Sequence, residues 1–162
     1  MGKKESKWHE MVNEIDRKGD LDVFTGEHYH TLDTKGRIAM PSKLREELGE
    51  SFMIAPALRG NCIKVYSLAE WDLFLEPILK AARKTSEATL RYLHSTAAQV
   101  TPDTQGRVLL TPKLIEKAKL KKDAVVVGCG PYIEIWSKEE YDKTIEDIDL
   151  DAVIKELEEL GL

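Results

Sequence analysis

Two copies of one short segment are the feature of this chain that most restricts how it can fold. The copies are Asp33–Arg37, with the sequence DTKGR, and Asp103–Arg107, with the sequence DTQGR. Positions 33–72 align with positions 103–142 without a gap, and twelve of the forty aligned residues are identical. Chance rarely produces such agreement, so the chain contains a tandem duplication. We call the two five-residue segments the first cassette and the second cassette.

The pattern of apolar and turn-forming residues is the same in both copies. Each copy predicts a strand, a turn at the cassette, a second strand, a short helix and two further strands. A unit of about 45 residues is near the lower limit for an independent core, so we expect the two copies to share one. The expected segments are Glu27–Leu32, Arg37–Met40, Ser42–Leu48, Phe52–Ala55 and Cys62–Tyr66, then Ala97–Thr101, Arg107–Leu110, Pro112–Ala118, Ala124–Gly128 and Tyr132–Trp136.

A helix is predicted after each copy. Ser67 and Ser137 are each followed three residues later by a glutamate, which is the pattern of a helix-capping box. A further helix is expected over Glu87–His94. The apolar stripes of these helices could pack within the chain or between protomers. Their members are Trp71, Leu75, Ile78, Leu79 and Ala82 after the first copy, and Tyr141, Ile145, Ile148, Val153, Leu157 and Leu160 after the second.

The charge of the chain is unevenly distributed. The formal net charge is −5, which at first argues against nucleic-acid binding. Residues 138–162 hold ten acidic residues against three lysines, a net −7, which leaves +2 for residues 1–137. The acidity therefore belongs to the C-terminal end. We find no apolar run of the roughly 20 residues that a membrane helix needs and no secretory signal, so we expect a cytoplasmic protein without a membrane partner.

Metal, cofactor and catalytic chemistry find little support in the sequence. Cys62 and Cys129 do not correspond between the copies and form no CxxC motif, which favours free thiols. His28 and His30 alternate on one strand but lack a further ligand, so no metal site is predicted. Asp33 and Asp103 lack a neighbouring histidine, cysteine nucleophile or phosphate-binding loop. We therefore expect a protein that is not an enzyme and that takes no cofactor or small-molecule ligand.

The cassettes combine turn chemistry with arginine. Asp33 and Gly36, like Asp103 and Gly106, are residue types that build tight turns, so they need no other role. A turn does not require the arginine that follows. Two interpretations of Arg37 and Arg107 remain open: each arginine pairs with its aspartate and braces the turn, or it binds a ligand.

Basic residues gather around the first cassette. Lys35, Arg37, Lys43 and Arg45 lie within eleven residues and suit phosphate and base edges, because arginine offers guanine a planar fork and lysine gives phosphate a point charge. In the second copy, Gln105 replaces Lys35 and Ile115 replaces Arg45. Gln105 and Arg107 are thus expected to make a weaker contribution to nucleic-acid binding.

Five segments of the span Val23–Tyr141 match the motifs of one known family in order: Phe24–Glu27, Leu32–Ile38, Pro41–Arg45, Asp103–Arg107 and Glu134–Trp136. The span resembles the MraZ family, whose members carry two SpoVT-AbrB-like repeats, each with a DxxGR motif. The resemblance implies an α+β fold of two tandem AbrB-like, β-rich repeats of the swapped-hairpin type, each followed by helices. It also implies a bacterial transcriptional regulator, associated with the nucleoid, that binds short direct promoter repeats of the division and cell-wall gene cluster as a ring-shaped homo-oligomer.

These observations divide the chain into five segments. We expect an N-terminal extension over 1–22, repeat 1 over 27–69, a helical linker over 70–96, repeat 2 over 99–142 and an acidic C-terminal helix over 143–162. One alternative function remains, in which the same fold is an assembly or antitoxin-like module. In that case the apolar helix from Trp71 to Ala82 would contact a protein partner.

Overall fold

The computed structural model describes residues 23–81 and 83–162. The expected N-terminal extension and Ala82 lie outside these residues. The described chain contains strands β1 (Glu27–Thr31), β2 (Arg37–Ala39), β3 (Phe52–Pro56), β4 (Cys62–Ser67), β5 (Ala98–Val100), β6 (Arg107–Leu109), β7 (Asp123–Gly128) and β8 (Ile133–Ser137). Its helices are α1 (Ser42–Leu48), α2 (Leu68–Lys80), α3 (Glu87–Thr96), α4 (Pro112–Lys117), α5 (Lys138–Glu146) and α6 (Leu150–Glu159).

The two repeats exchange strands to build one mixed α+β structure. Six strands form an antiparallel sheet in the order β1-β7-β8-β4-β3-β5. The first strand of repeat 1, β1, pairs with β7 of repeat 2, and the first strand of repeat 2, β5, pairs with β3 of repeat 1. The remaining strands, β2 and β6, form a separate two-stranded antiparallel ribbon. Neither repeat therefore completes its own sheet.

The expected shared core is present beneath the ribbon. Ile38 of β2 and Val108 of β6 are register partners and are 0% and 1% exposed. They belong to one cluster that also holds Leu44 from α1 and Leu114 from α4. Because aligned residues of both repeats meet in this cluster, neither half can bury its apolar surface without the other.

The apolar stripes of the helices have different surroundings. Trp71 and Leu75 of α2 are buried and pack in a cluster with Tyr66 of β4, whose ring centroid lies 5.5 Å from that of Trp71. By contrast, α6 contains no buried residue, and Val153, Ile154 and Leu157 are 42–52% exposed. The first stripe therefore packs within the chain through Trp71 and Leu75, while Leu79 is 59% exposed, and the part of the C-terminal stripe on α6 is open to solvent.

Local capping explains where the helices after each repeat begin. Ser67 Oγ accepts a hydrogen bond from the Glu70 N–H at 3.2 Å, and Ser137 Oγ accepts one from the Glu140 N–H at 3.1 Å. The acidic C-terminal end, expected as one helix, forms α5 and α6. The break has a local cause, because the Asp149 carboxylate accepts hydrogen bonds from the first N–H groups of α6.

The cysteines are free thiols that share one carboxylate. Cys62 Sγ and Cys129 Sγ donate to the two oxygens of Glu134 at 3.5 and 3.3 Å. Burial raises the pKa of both thiols, that of Cys129 to about 12. Within residues 23–81 and 83–162, no group of three or more His, Cys, Asp or Glu side chains could hold a metal ion. No helix in the same ranges is long and apolar enough to cross a bilayer.

Candidate nucleic-acid interface

Each cassette forms a tight turn around its aspartate. Asp33 Oδ1 accepts hydrogen bonds from the N–H groups of Lys35 and Arg37, at 2.9 and 2.8 Å. The Asp33 carbonyl accepts a third from Gly36 N–H at 3.1 Å, and Gly36 has a φ of +79°, which favours glycine. These bonds set the direction of the backbone at the start of β2 and fix the position of the Arg37 Cα atom, from which its side chain extends.

The second cassette repeats this geometry almost atom for atom. Asp103 Oδ1 accepts hydrogen bonds from the N–H groups of Gln105 and Arg107, both at 2.9 Å. Gly106 has a φ of +76° and donates to the Asp103 carbonyl. The side chains of Lys35 and Gln105 are exposed at equivalent places on the two turns. The duplication in the sequence is thus a duplication of turn geometry.

Both arginines pair with the aspartate of their own cassette. Arg37 Nε donates to Asp33 Oδ2 at 2.7 Å, and Arg107 Nε donates to Asp103 Oδ2 at 2.8 Å. Arg107 Nη1 also lies 3.8 Å from Asp33 Oδ2, which links the two cassettes. The bracing interpretation therefore describes part of what the arginines do. A guanidinium has five N–H donors and the bond from Nε uses one, so each arginine keeps donors for a further contact.

The aspartates remain charged to low pH. The pKa of Asp33 lies below its usual value, chiefly because the backbone N–H of Arg37 donates to the carboxylate. The pKa of Asp103 is lowered in the same way by Arg107. Each carboxylate is thus a fixed negative group beside the guanidinium, and its hydrogen bond to Nε fixes the orientation of the arginine side chain.

The ribbon places both arginines on one face. Side chains alternate along a strand, and Ile38 and Val108 point into the core, so Arg37, Ala39, Arg107 and Leu109 point outward. In the antiparallel register Arg37 is opposite Leu109, and Ala39 is opposite Arg107. A two-stranded ribbon has the width that the major groove of DNA admits.

Arg45 is placed against the opposite cassette. Its Nε donates to the Met40 carbonyl at 3.0 Å, and a Cβ added to Gly106 would lie 2.5 Å from its Cζ. In the other half, the aligned residue Ile115 covers Gly36 in the corresponding way. Each short helix therefore braces the cassette of the other repeat. Of the cations predicted on α1, Lys43 is exposed and Arg45 is half-buried in this contact.

A groove beside the first cassette, largely apolar but with three lysines and Glu116 in its lining, was not among the predicted sites. Its volume is about 850 Å³, and its lining includes Lys35, Leu109, Lys119 and Lys121. The sequence did contain a signal for it. Residues 113–122 hold five lysines and one glutamate, whereas the aligned residues 43–52 hold two cations and three glutamates. The exchange of Lys35 for Gln105 changes the charge by one, whereas residues 113–122 carry a net +4 and residues 43–52 a net −1.

The acidic helix α5 lies close to these lysines. Lys121 Nζ is 3.1 Å from a Glu139 carboxylate oxygen, and Lys119 Nζ is 3.8 Å from one of Glu140. Both lysines are more than half exposed. Lys121 and Glu139 form an exposed pair, which contributes little to stability, so this ammonium group can exchange its carboxylate for a phosphate at small cost. Glu140, the partner of Lys119, is only 19% exposed.

Comparison with known proteins gives consistent results along the chain. The family model of the MraZ protein, which is described as antitoxin-like, matches twice, at residues 23–92 and 93–159. The transcriptional regulator MraZ of Clostridium acetobutylicum is 41% identical over 143 residues, which cover 86% of this chain and all of the relative. Proteins with the same name from Alkaliphilus oremlandii and Clostridium tetani are each 38% identical, again over 86% of this chain.

Proposed function

The chain belongs to the MraZ family, and on this basis we propose that it is a transcriptional regulator that binds double-stranded DNA through its two cassettes. Its relatives are named as regulators of transcription and not as enzymes. Catalysis by Asp33 and Asp103 gains no support from the geometry either, because both carboxylates are engaged by backbone N–H groups and by arginine.

The observation that carries this proposal is the outward face of the β2–β6 ribbon. It presents Arg37 and Arg107 from one narrow surface, and a turn with an exposed Lys35 or Gln105 flanks the ribbon at each end. Arginines aimed from such a ribbon suit base edges, and the flanking lysine suits the phosphate backbone. Lys43 on α1 is a further candidate for a phosphate contact. We assign Arg45 a bracing contribution in addition to its charge.

The finer features of the proposal follow from the family resemblance. We propose that the operator consists of short direct repeats in the promoter of the division and cell-wall gene cluster, and that the protein associates with the nucleoid. We also propose repeats over 27–69 and 99–142, joined by helices over 70–96. The exchange of β1 and β5 between the repeats supports the swapped-hairpin, AbrB-like description of each one.

Self-assembly into a ring is the last part of the proposal. The open apolar face of α6 supports it, because an amphipathic helix without a covering surface suits contact with a second copy of the chain. The chain carries a formal net charge of −5, so a single protomer is expected to bind DNA weakly. Several linked protomers would compensate, because each further contact is made at high effective concentration.

Substitution of the cassette cations tests the proposed DNA contact. We expect Arg37→Ala to lower affinity for a promoter duplex roughly 10- to 100-fold, the usual loss for a bidentate base contact. Lys35→Ala should weaken binding to all duplexes and reduce the salt slope by about one. Fluorescence anisotropy at several salt concentrations measures both effects. Arg91→Ala is the matched control, because Arg91 is exposed on α3, outside the ribbon and cassettes. Unchanged affinity and slope in both variants would show that the site is elsewhere.

The family description as antitoxin-like favours one second candidate, a protein-interaction module. The surface that the sequence indicates for it, the stripe from Trp71 to Ala82, is partly used inside the chain, since Trp71 and Leu75 are buried. The exposed face of α6 is the better candidate surface. Isolation of a stoichiometric protein partner, together with no retardation of DNA at low salt, would favour this function over the first.

A further inference from the structure

The outward face of the β2–β6 ribbon contains one large apolar side chain. Leu109 is 62% exposed, whereas its neighbours Val108 and Leu110 are 1% and 2% exposed. Strand alternation places Leu109 on the same face as Arg107, and the register places it opposite Arg37. Side chains directly opposite each other in an antiparallel pair have Cβ atoms about 5 Å apart. Leu109 therefore stands beside the arginine cations on the surface proposed to meet DNA.

The fold does not require leucine at this position. The aligned residue of repeat 1 is Ala39, which occupies the corresponding place in the same ribbon, opposite Arg107. One half of the ribbon thus combines arginine with leucine, and the other half combines arginine with alanine. The exposed leucine is a difference between the halves that their common backbone leaves unexplained.

The surroundings of Leu109 indicate what kind of surface it meets. It lies at the edge of a largely apolar groove whose charged lining residues are Lys35, Glu116, Lys119 and Lys121. Lys119 and Lys121 already face Glu140 and Glu139. An apolar protein surface would still have to remove water from the exposed ammonium group of Lys35, which is unfavourable without a compensating charge. DNA supplies the compensating phosphates, and within the major groove it supplies one apolar group, the 5-methyl group of thymine.

We propose that Leu109 contacts the 5-methyl group of a thymine near the base that Arg37 contacts, an inference that rests on the proposed DNA-binding function. Arginine reads the hydrogen-bonding edge of a base, and the adjacent leucine reads the methyl group. Ala39, with a shorter side chain, makes no equivalent contact at the other end. The operator then contains a thymine whose methyl group matters on the Leu109 side and no counterpart on the Ala39 side.

A methyl-deletion experiment tests this contact directly. Duplexes that bind the wild-type chain are first selected from a randomised pool, and each thymine is then replaced singly by deoxyuridine, which lacks the methyl group. Affinities are measured for the wild-type chain and for Leu109→Ala. At one thymine per site we expect the replacement to weaken wild-type binding about fourfold, the effect of burying one methyl group. Leu109→Ala should bind the two duplexes equally.

Two further variants separate this contact from general damage. Leu109→Met keeps an apolar side chain of similar size and should retain the sensitivity to deoxyuridine. Ala39→Leu places the longer side chain in the other half of the ribbon and should create a second sensitive thymine at the other end of the site. Equal losses on thymine replacement in the wild-type chain and in Leu109→Ala would overturn the inference while leaving DNA binding intact. Failure to enrich any duplex would overturn the proposed function and this inference with it.

Discussion

At the scale of single residues, contacts between backbones set the strictest limits on substitution. A Cβ at Gly128 would lie 2.3 Å from the Thr25 N and 2.4 Å from the Phe24 carbonyl carbon. These are main-chain atoms, which are held there by the paired hydrogen bonds of Phe24 and Gly130. Neither side can therefore move aside without breaking the attachment of residues 24–26 to the end of β7.

We predict that Gly128→Ala lowers the free energy of unfolding by about 3 kcal/mol, the upper part of the usual range for overpacking. Urea denaturation measures the change. Gly130→Ala is the matched control, because Gly130 has a φ of +79° and open space where a Cβ would lie. It should cost only the left-handed backbone penalty of about 1 kcal/mol. Equal losses in the two variants would contradict the importance of the close approach.

At the scale of elements, the cassette turns make stability depend on pH. The pKa values of Asp33 and Asp103 are lowered by folding, so their stabilising contribution is full above the ordinary aspartate pKa of about 3.9 and is lost as pH falls through the lower folded-state values. We predict that Asp33→Asn with Asp103→Asn is less stable than wild type at pH 6. The gap in melting temperature should narrow steadily between pH 4 and pH 2.

Thermal melts followed by circular dichroism across this pH range measure that gap. Glu50→Gln is a suitable control, because Glu50 is exposed in the connection between α1 and β3 and lies outside the cassettes. It should follow the wild-type curve throughout. A gap of constant size down to pH 2 would mean that the aspartates act through shape alone and not through charge.

The elements themselves could be predicted from the sequence, because their signals are local. Helix α1 was expected over Ser42–Leu48 and has those bounds, and α4 begins at Pro112 as expected. Turn residues, caps and apolar spacing act over a few positions, so they can be read along the chain. The pairing of β1 with β7 could not be read in this way, since the alternation of Glu27–Thr31 suits any strand that has an open edge.

The residues of the candidate site also divide into those that local sequence signals predict and those that only the tertiary structure brings together. The exposed positions of Lys35 and Gln105 follow from turn chemistry. The contact of Arg45 with Gly106 joins residues that are distant in sequence, and it appears only when the repeats interleave. Leu109 lacked a signal of its own, because an apolar residue in a short strand is normally assigned to the core. Leu109 is exposed because its neighbours Val108 and Leu110 point into the core and side chains alternate along a strand.

At the scale of the whole molecule, the exchanged strands make the halves interdependent. Residues 23–96 alone would leave β1 without β7, and residues 97–162 alone would leave β5 without β3. We predict that neither half, expressed separately, folds as a monomer, and that an equimolar mixture recovers the sheet. Circular dichroism and light scattering measure folding and mass together. A folded monomeric half would contradict the interleaved core.

The C-terminal helix gives a second prediction at this scale. Ile154→Lys with Leu157→Lys places two charges on the apolar face of α6, where no buried side chain is replaced. We expect the mass in solution to fall, and DNA affinity to fall 10²-fold or more as multivalent contact is lost. Glu156→Gln is the control, because it removes a charge from α6 without changing an apolar side chain. A wild-type mass in the double lysine variant would place the assembly surface elsewhere.

The unequal cassettes also give the ribbon a direction. A pair of identical repeats would be symmetric, and the sequence it preferred would read the same on both strands. Here one end of the ribbon carries Lys35 and the other carries Gln105 at the tip of the same turn. A chain bound to DNA would therefore have one preferred orientation along the duplex. Inverting the site would reverse that orientation, so the acidic helices would point toward the opposite end of the duplex.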